Sequence, residues 1–271
     1  MTPKKGLRFY QTDAFTDTPF GGNPAAICLP DEPMEARVMQ AIAQEMNLSE
    51  TAFSEPPDKS GDRRLRWFTP TTEVPLCGHA TLAAAAVLFD RGADSPVRFR
   101  TLSGVLTVHK EENGALRMDF PVDRPLASAA PDGLLEALGA RPAAAVLRGR
   151  LIWVVRVADE ETLRSLAPDF TALARVDVDG VMGVSVTAPG TDVDFVSRGF
   201  FPWSGVDEDP VTGSAHTTLG AYWADELGKT TLTARQVSER SGDLTLKLQG
   251  DRIHLIGHAV TVAEGELFLP A

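Results

Sequence analysis

Cysteine is scarce: Cys28 and Cys77 are the only two in 271 residues. Two cysteines cannot build a disulfide scaffold, and their spacing matches no zinc-binding pattern, so a reducing compartment is expected. Positive charge is short as well, with 26 Lys and Arg against 37 Asp and Glu, a net charge of -11 and a pI near 4.9. Bulk repulsion then opposes nucleic acid and anionic membrane as partners, and an anionic ligand would have to be met by local dipoles. No apolar run approaches the roughly 18 residues of a membrane span. The segment from Met1 to Asp13 lacks the apolar centre of a signal peptide, so a cytoplasmic location is expected. What remains is an ordinary globular composition, 43% hydrophobic and 23% charged, long enough for one large core or two smaller ones.

Against that background one stretch carries the most chemistry: Glu208-Asp209-Pro210-Val211-Thr212-Gly213-Ser214-Ala215-His216. A turn with two carboxylates and a proline runs into an apolar-periodic segment, Leu219, Ala221, Tyr222, Trp223 and Leu227, closed by Gly228. This order predicts a loop feeding a helix N-terminus, where backbone N–H groups and the helix dipole can hold an anion. A second copy follows the same plan. Leu76-Cys77-Gly78-His79-Ala80 leads into Thr81, Leu82, Val87, Leu88 and Phe89, with Gly92 as the helix stop.

Along the chain, Leu7 to Phe15 and Ala25 to Leu29 predict a hairpin across the turn Pro19-Phe20-Gly21-Gly22-Asn23-Pro24. Val38, Ile42 and Met46 predict an amphipathic helix over Glu35 to Met46, after which Asn47-Leu48-Ser49 delivers Glu50 to a strand through Thr51-Ala52-Phe53. Pro56 to Arg64 reads as a loop and Arg66 to Pro70 as a strand. Three further strands are expected at Val97 to Thr101, Val105 to His109 and Leu116 to Phe120, the last two joined at Asn113-Gly114. The three prolines between Pro121 and Pro131 mark the expected domain boundary, giving domains 1–122 and 123–271, with about ten C-terminal residues returning to the first. A short helix over Leu134 to Leu138 and a buried strand over Leu151 to Val155 open the second domain.

The second half repeats the order of the first. Arg66-Trp67-Phe68-Thr69-Pro70 matches Arg198-Gly199-Phe200-Phe201-Pro202 at an offset of 132; Gly78-His79-Ala80 matches Gly213-Ser214-Ala215 at 135; Ser103-Gly104 matches Ser241-Gly242 at 138. A drift in one direction implies one ancestral unit with small insertions. Two similar α+β halves are therefore expected, each with a central helix, with both helix starts facing a shared cleft.

Asp13-Ala14-Phe15, Gly22-Asn23-Pro24-Ala25-Ala26, Asn47-Leu48-Ser49-Glu50-Thr51, Phe68-Thr69-Pro70, Leu76-Cys77-Gly78-His79-Ala80-Thr81-Leu82-Ala83 and the stretch from Glu208 to His216 resemble, in order, the motif set of the PhzF-like family, the phenazine-biosynthesis isomerases. The resemblance implies an α+β fold of two pseudo-symmetric diaminopimelate epimerase-like domains, each a sheet wrapped around a central helix, with the active site between them. It further implies a homodimer that uses no metal or organic cofactor, while the polar groups at the two helix starts together with Glu50 lead to the expectation of a small carboxylated metabolite as substrate. By the same resemblance Glu50 moves the proton, and His79, Asp209 and Ser214 complete the catalytic set. Gly78, Thr212 and Gly213 fall to substrate binding.

The residues themselves support such roles. A carboxylate on a short tether can remove a C–H proton and return it on the same face, and burial raises a glutamate toward the range of about 6–7 where it works as a base. Amide pairs around Gly78-His79 and Gly213-Ser214 suit a carboxylate or developing enolate, with Ser214 adding a hydroxyl. Asp209 either orients His79 or binds a substrate amine or hydroxyl. Cys77 could be one of the two opposed thiols of an epimerase, but the matching position is Thr212, so a single-carboxylate proton shift is favoured. Two other classes stay open: a non-catalytic binding protein on the same fold, and a lyase or hydrolase built on Ser214, His79 and Asp209. The absence of a Gly-x-Ser-x-Gly elbow around Ser214 weighs against the hydrolase. His216 is expected on the helix side rather than in the chemistry. Cys28, Trp153 and Trp223 are expected in packing, and Trp203 in packing or along a pocket.

Overall fold

A computed structural model describes residues 6–269. In chain order the elements are β1 (Gly6–Ala14), β2 (Asn23–Leu29), α1 (Ala36–Met46), β3 (Glu50–Ser54), β4 (Arg63–Phe68), β5 (Glu73–Val74), α2 (Gly78–Asp90), β6 (Val97–Thr101), β7 (Gly104–Lys110) and β8 (Leu116–Pro121). There follow β9 (Leu126–Ala127), α3 (Leu134–Leu138), β10 (Ala145–Arg148), β11 (Ile152–Arg156), α4 (Glu160–Ser165), α5 (Phe170–Leu173), β12 (Gly183–Pro189) and β13 (Phe195–Phe201). The last are β14 (Val206–Asp209), α6 (Gly213–Leu227), β15 (Thr231–Gln236), β16 (Gly242–Gln249), β17 (Arg252–Gly257) and β18 (Ala259–Phe268). The chain divides between Asp119 and Phe120, and from Ile256 onward it belongs with the first unit. Among the described residues no helix is long and apolar enough to cross a membrane.

In the first unit β1 and β2 form the expected hairpin, and β18 pairs antiparallel along β1 from Gly6 against Phe268 to Ala14 against Ala259. The sheet continues with β2 parallel to β3, β3 antiparallel to β4, β4 parallel to β6, and the meander β6–β7–β8. Helix α2 packs on β1, β2, β3, β7 and β18. Every residue from His79 to Phe89 is buried. A helix apolar on all sides has no solvent face, and the alanines at 80 and 83–86 combine helix propensity with a bulk that lets strands close around it. Outside it, α1 buries Met39, Ile42 and Ala43, while Val38 and Met46 are only partly covered. The inward stripe is therefore centred one position from the expected Val38–Ile42–Met46 line, following the i, i+3, i+4 geometry of a helix face.

The second unit is built the same way around α6, which packs on β11, β15 and β16. Here β10 is antiparallel to β11, β11 parallel to β12, β12 antiparallel to β13, β13 parallel to β15, and β15 antiparallel to β16. Residues 215–224 of α6 are all buried. Gly220 lets the strands pack close, since a Cβ there would lie 2.6 Å from Ile253 Cδ1 and that side chain would have to shift. The short helices α3, α4 and α5 cover the outer face with Leu134, Leu138, Leu163 and Leu173. Sequence reading missed α4 and α5, which are four to six residues long and are set by side-chain caps, Asp159 on Thr162 N and Asp169 on Ala172 N.

The duplication is carried by the strand registers. Phe68 pairs with Glu73 as Phe200 pairs with Glu208; Arg63 with Phe99 as Phe195 with Ala234; Phe99 with Leu106 as Ala234 with Leu244. The offsets of 132, 135 and 138 read from the sequence thus hold residue by residue across three successive ladders.

Candidate active site

Glu50 is the first residue of β3, placed by the end of α1. Asn47 takes the left-handed conformation at φ 50 and its N–H closes on Ala43 O, so the chain turns through Leu48 and Ser49 into the sheet. Parallel pairing sets Glu50 against Ala25, and its neighbour Thr51 lies opposite Phe68. His79 enters from the first turn of α2. Its Nε2 lies 3.3 Å from Glu50 Oε2, within ion-pair distance but out of line for a hydrogen bond, so among the described residues the buried Nε2 has no hydrogen-bond partner.

The other ring nitrogen, Nδ1, faces two groups: Asn23 Nδ2 at 3.3 Å and Cys77 Sγ at 3.5 Å. Both can donate, which makes Nδ1 the acceptor and leaves the proton on Nε2, toward Glu50. Burial pushes the His79 imidazole down from its ordinary 6.5 to about 3. The ring is neutral at physiological pH, and a neutral N–H beside a carboxylate is what the pair offers. Asn23 is a site neighbour that the sequence reading did not assign to the site. Its signal was in the sequence, in Gly22-Asn23-Pro24 at the start of a strand.

In the second unit the loop before α6 is held as one piece. Thr212 Oγ1 donates to Asp209 Oδ2, and Gln236, only 1% exposed, accepts from Thr212 N at 2.9 Å while donating to Asp209 O at 2.7 Å. Ser238 Oγ donates to Pro210 O at 2.7 Å, as Ser103 Oγ does to Pro75 O at 2.8 Å in the first unit. Neither α2 nor α6 has a side-chain N-cap, although Thr212 is a residue type that caps well. Its hydroxyl is taken by Asp209 instead. Ser214 is half-buried and Gly213 buried at the first turn of α6. Gln236 had no sequence signal: a glutamine at a strand end is common, and only the parallel β13–β15 pairing brings it to the loop.

Both loops are braced by the same fork. Arg66 Nε and Nη2 donate to the two oxygens of Glu73 at 2.7 Å each, and Arg198 does the same to Glu208 at 2.8 Å. Each guanidinium also lies over the aromatic ring two residues on, Phe68 at 5.0 Å and Phe200 at 5.1 Å. The bond with Arg66 holds Glu73 below the usual carboxylate range.

The remaining candidates are structural. His216 is fully buried, its Nδ1 donates to Thr212 O at 2.8 Å, and its ring stacks on Phe195. It replaces Thr81 of the first unit, whose hydroxyl makes the same bond to Cys77 O at 2.5 Å. Trp153 and Trp203 donate to Val178 O and Val176 O, and both pack on the core beneath α3–α5. Burial raises the Cys28 thiol to about 12, which makes it an inert core residue.

A sheet wrapped around a buried helix, present twice in one chain with polar residues at each helix start, defines the epimerase-like class of α+β proteins. A hydroxyproline epimerase from Agrobacterium vitis shares this fold at a TM-score of 0.59 and 12% identity, over 99% of this chain and 94% of that one. The family model for phenazine biosynthesis-like proteins matches residues 12–265, and the chain belongs to that family. A PhzF-family structure from Enterococcus faecalis matches with a TM-score of 0.92 and 42% identity, over 98% of this chain and all of that one. An uncharacterized isomerase of Pseudomonas aeruginosa is 51% identical over 97% of this chain and 99% of its own.

Proposed function

We propose that this isomerase shifts a proton within a small carboxylated metabolite, without an organic cofactor, and that Glu50 is its general base and acid. The observation that supports this most is the approach of Glu50 Oε2 to a buried, neutral His79 at 3.3 Å. A carboxylate 19% exposed at a strand start can reach a substrate carbon, while its imidazole neighbour gives one fixed N–H rather than a second charge. Glu50 removes the proton, holds it as the carboxylic acid and returns it on the same face, while the neutral ring of His79 lies beside it without adding a charge. His79 accordingly acts through Glu50.

Asp209, Thr212, Gly213 and Ser214 are assigned to holding the substrate's carboxylate and the charge that develops on it, together with Gly78, as the family resemblance implies. Gln236 keeps that loop in shape. A hydrolase triad is disfavoured, because both ring nitrogens of His79 are addressed within the first unit, Nδ1 by Asn23 and Cys77 and Nε2 by Glu50. The homodimer expected from the family is part of the proposal and is checked by light scattering.

The test is solvent-deuterium incorporation into a panel of small carboxylates. Glu50→Gln is expected to lower the exchange that the wild type supports by about 10²–10⁴, and Ser214→Ala to slow it by about 10²–10³. A hydrolase would reverse the order, with the serine variant the more damaged and hydrolysis products formed. Absence of Glu50-dependent exchange across the whole panel would refute the reading.

A further inference from the structure

Glu50, Cys77 and His79 place one carboxylate oxygen, one sulfur and one imidazole nitrogen within 4.8 Å of one another. No step of the proposed reaction uses Cys77, and His79 Nε2 is a buried polar atom with no hydrogen-bond partner among the described residues, next to Glu50. In a tetrahedral zinc site, bond lengths of about 2.3 Å to sulfur and about 2.0–2.1 Å to nitrogen and oxygen set the ligand atoms about 3.3–3.6 Å apart. Glu50 Oε2 already approaches Nε2 to 3.3 Å, while the Cys77 sulfur faces Nδ1 at 3.5 Å, so the thiol side chain must turn toward Nε2 to complete the set.

We propose that this trio is a reversible inhibitory site for a thiophilic divalent cation such as Zn2+, held by Cys77 thiolate, His79 Nε2 and Glu50 carboxylate. The donor set of one soft sulfur, one imidazole and one carboxylate selects Zn2+ or Co2+ over Mg2+ or Ca2+, which require oxygen ligands. Binding releases one proton in net and leaves a fourth position for water: Cys77 gives up its thiol proton, and the imidazole proton of His79 moves from Nε2 to Nδ1 so that Nε2 can hold the ion. The ion bonds to the carboxylate that would otherwise take the substrate proton. Inhibition rests on the assignment of Glu50 as base, whereas binding does not.

The intact protein is titrated with Co2+ and the thiolate-to-cobalt charge-transfer band is followed in the wild type, Cys77→Ser, Glu50→Gln and Cys28→Ser. The expected result is one equivalent of Co2+ with a thiolate band that Zn2+ displaces, kept in Cys28→Ser and lost in Cys77→Ser. Affinity should fall by more than about tenfold in Glu50→Gln, since even outer partners of a metal site cost that much. Thermal melts in the absence of metal establish that each variant is folded. No thiolate band in the wild type, or a band that survives Cys77→Ser, overturns the site. Zn2+ that binds as described yet leaves deuterium exchange intact would overturn Glu50 as the base while the metal site stands.

Discussion

The two helix starts are the same piece of architecture with different equipment. Glu73-Val74-Pro75-Leu76-Cys77-Gly78-His79 aligns with Glu208-Asp209-Pro210-Val211-Thr212-Gly213-Ser214, and each loop has the same arginine fork and the same serine bond to its proline carbonyl. Yet where the first has an apolar valine, a thiol and an imidazole, the second has a carboxylate and two hydroxyls. The strand registers extend the contrast to the base. Thr51 opposite Phe68 corresponds to Val184 opposite Phe200, so the position of Glu50 is held in the second unit by Gly183. A side chain does not fit there, since a Cβ would lie 2.4 Å from the Phe201 ring and 2.5 Å from Phe200 O. The brace was kept in both halves, and the proposed proton-transfer pair in one.

Four experiments sharpen or break that comparison. The largest effect is expected at Glu50: Glu50→Gln should lower isotope exchange by about 10²–10⁴, the usual range for a general base, with the melting temperature little changed. Its counterpart, Gly183→Ala, should act on stability instead. Overpacking against a buried ring costs about 1–3 kcal/mol, read as a shifted denaturation midpoint. A stable Gly183→Ala variant would mean that the second slot is open.

The braces should respond alike. Arg66→Ala and Arg198→Ala each leave a mostly buried glutamate without its partner, and each is expected to cost about 1–3 kcal/mol. A large difference between them in urea unfolding would argue against an equivalent role. The smallest effect concerns pH. Burial lowers His79 to about 3 and His216 to about 4 from an ordinary 6.5. Both are neutral in the fold, and the unfolded chain takes up protons first. Stability from this source is therefore complete above pH 6.5 and declines as the pH falls toward 4 and then 3. Melting temperature against pH should show this decline, shallower in His216→Gln. The pH–rate profile should lack an imidazole limb near 6.5, because His79 does not titrate there.

The duplication was legible in the sequence because it is written in offsets, and a ladder register preserves an offset. Glu50 was legible for a related reason: Asn47 takes a left-handed turn without strain, so the end of α1 and the start of β3 are local events. Asn23, though part of the Gly22-Asn23-Pro24 motif, and Gln236 were not assigned to the site, because what each one contacts is set by distant parts of the chain. Asn23 lies 56 residues from His79, and Gln236 reaches Asp209 only because β15 pairs parallel with β13. Val38 and Met46 were assigned the inward stripe from spacing alone, whereas the phase of that stripe depends on what the helix packs against.

The sequence by itself determined that two like units exist, where each central helix begins and ends, and which residue types stand at those beginnings. These follow from glycine stops, apolar periodicity and repeated spacing, all of which act over a few residues of chain. Only the tertiary structure decided that His79 is neutral, which nitrogen bears its proton, and that Gly183 excludes a second base. Those depend on desolvation and on the groups that meet a buried ring, and parallel strand pairing brings such groups together from distant parts of the chain.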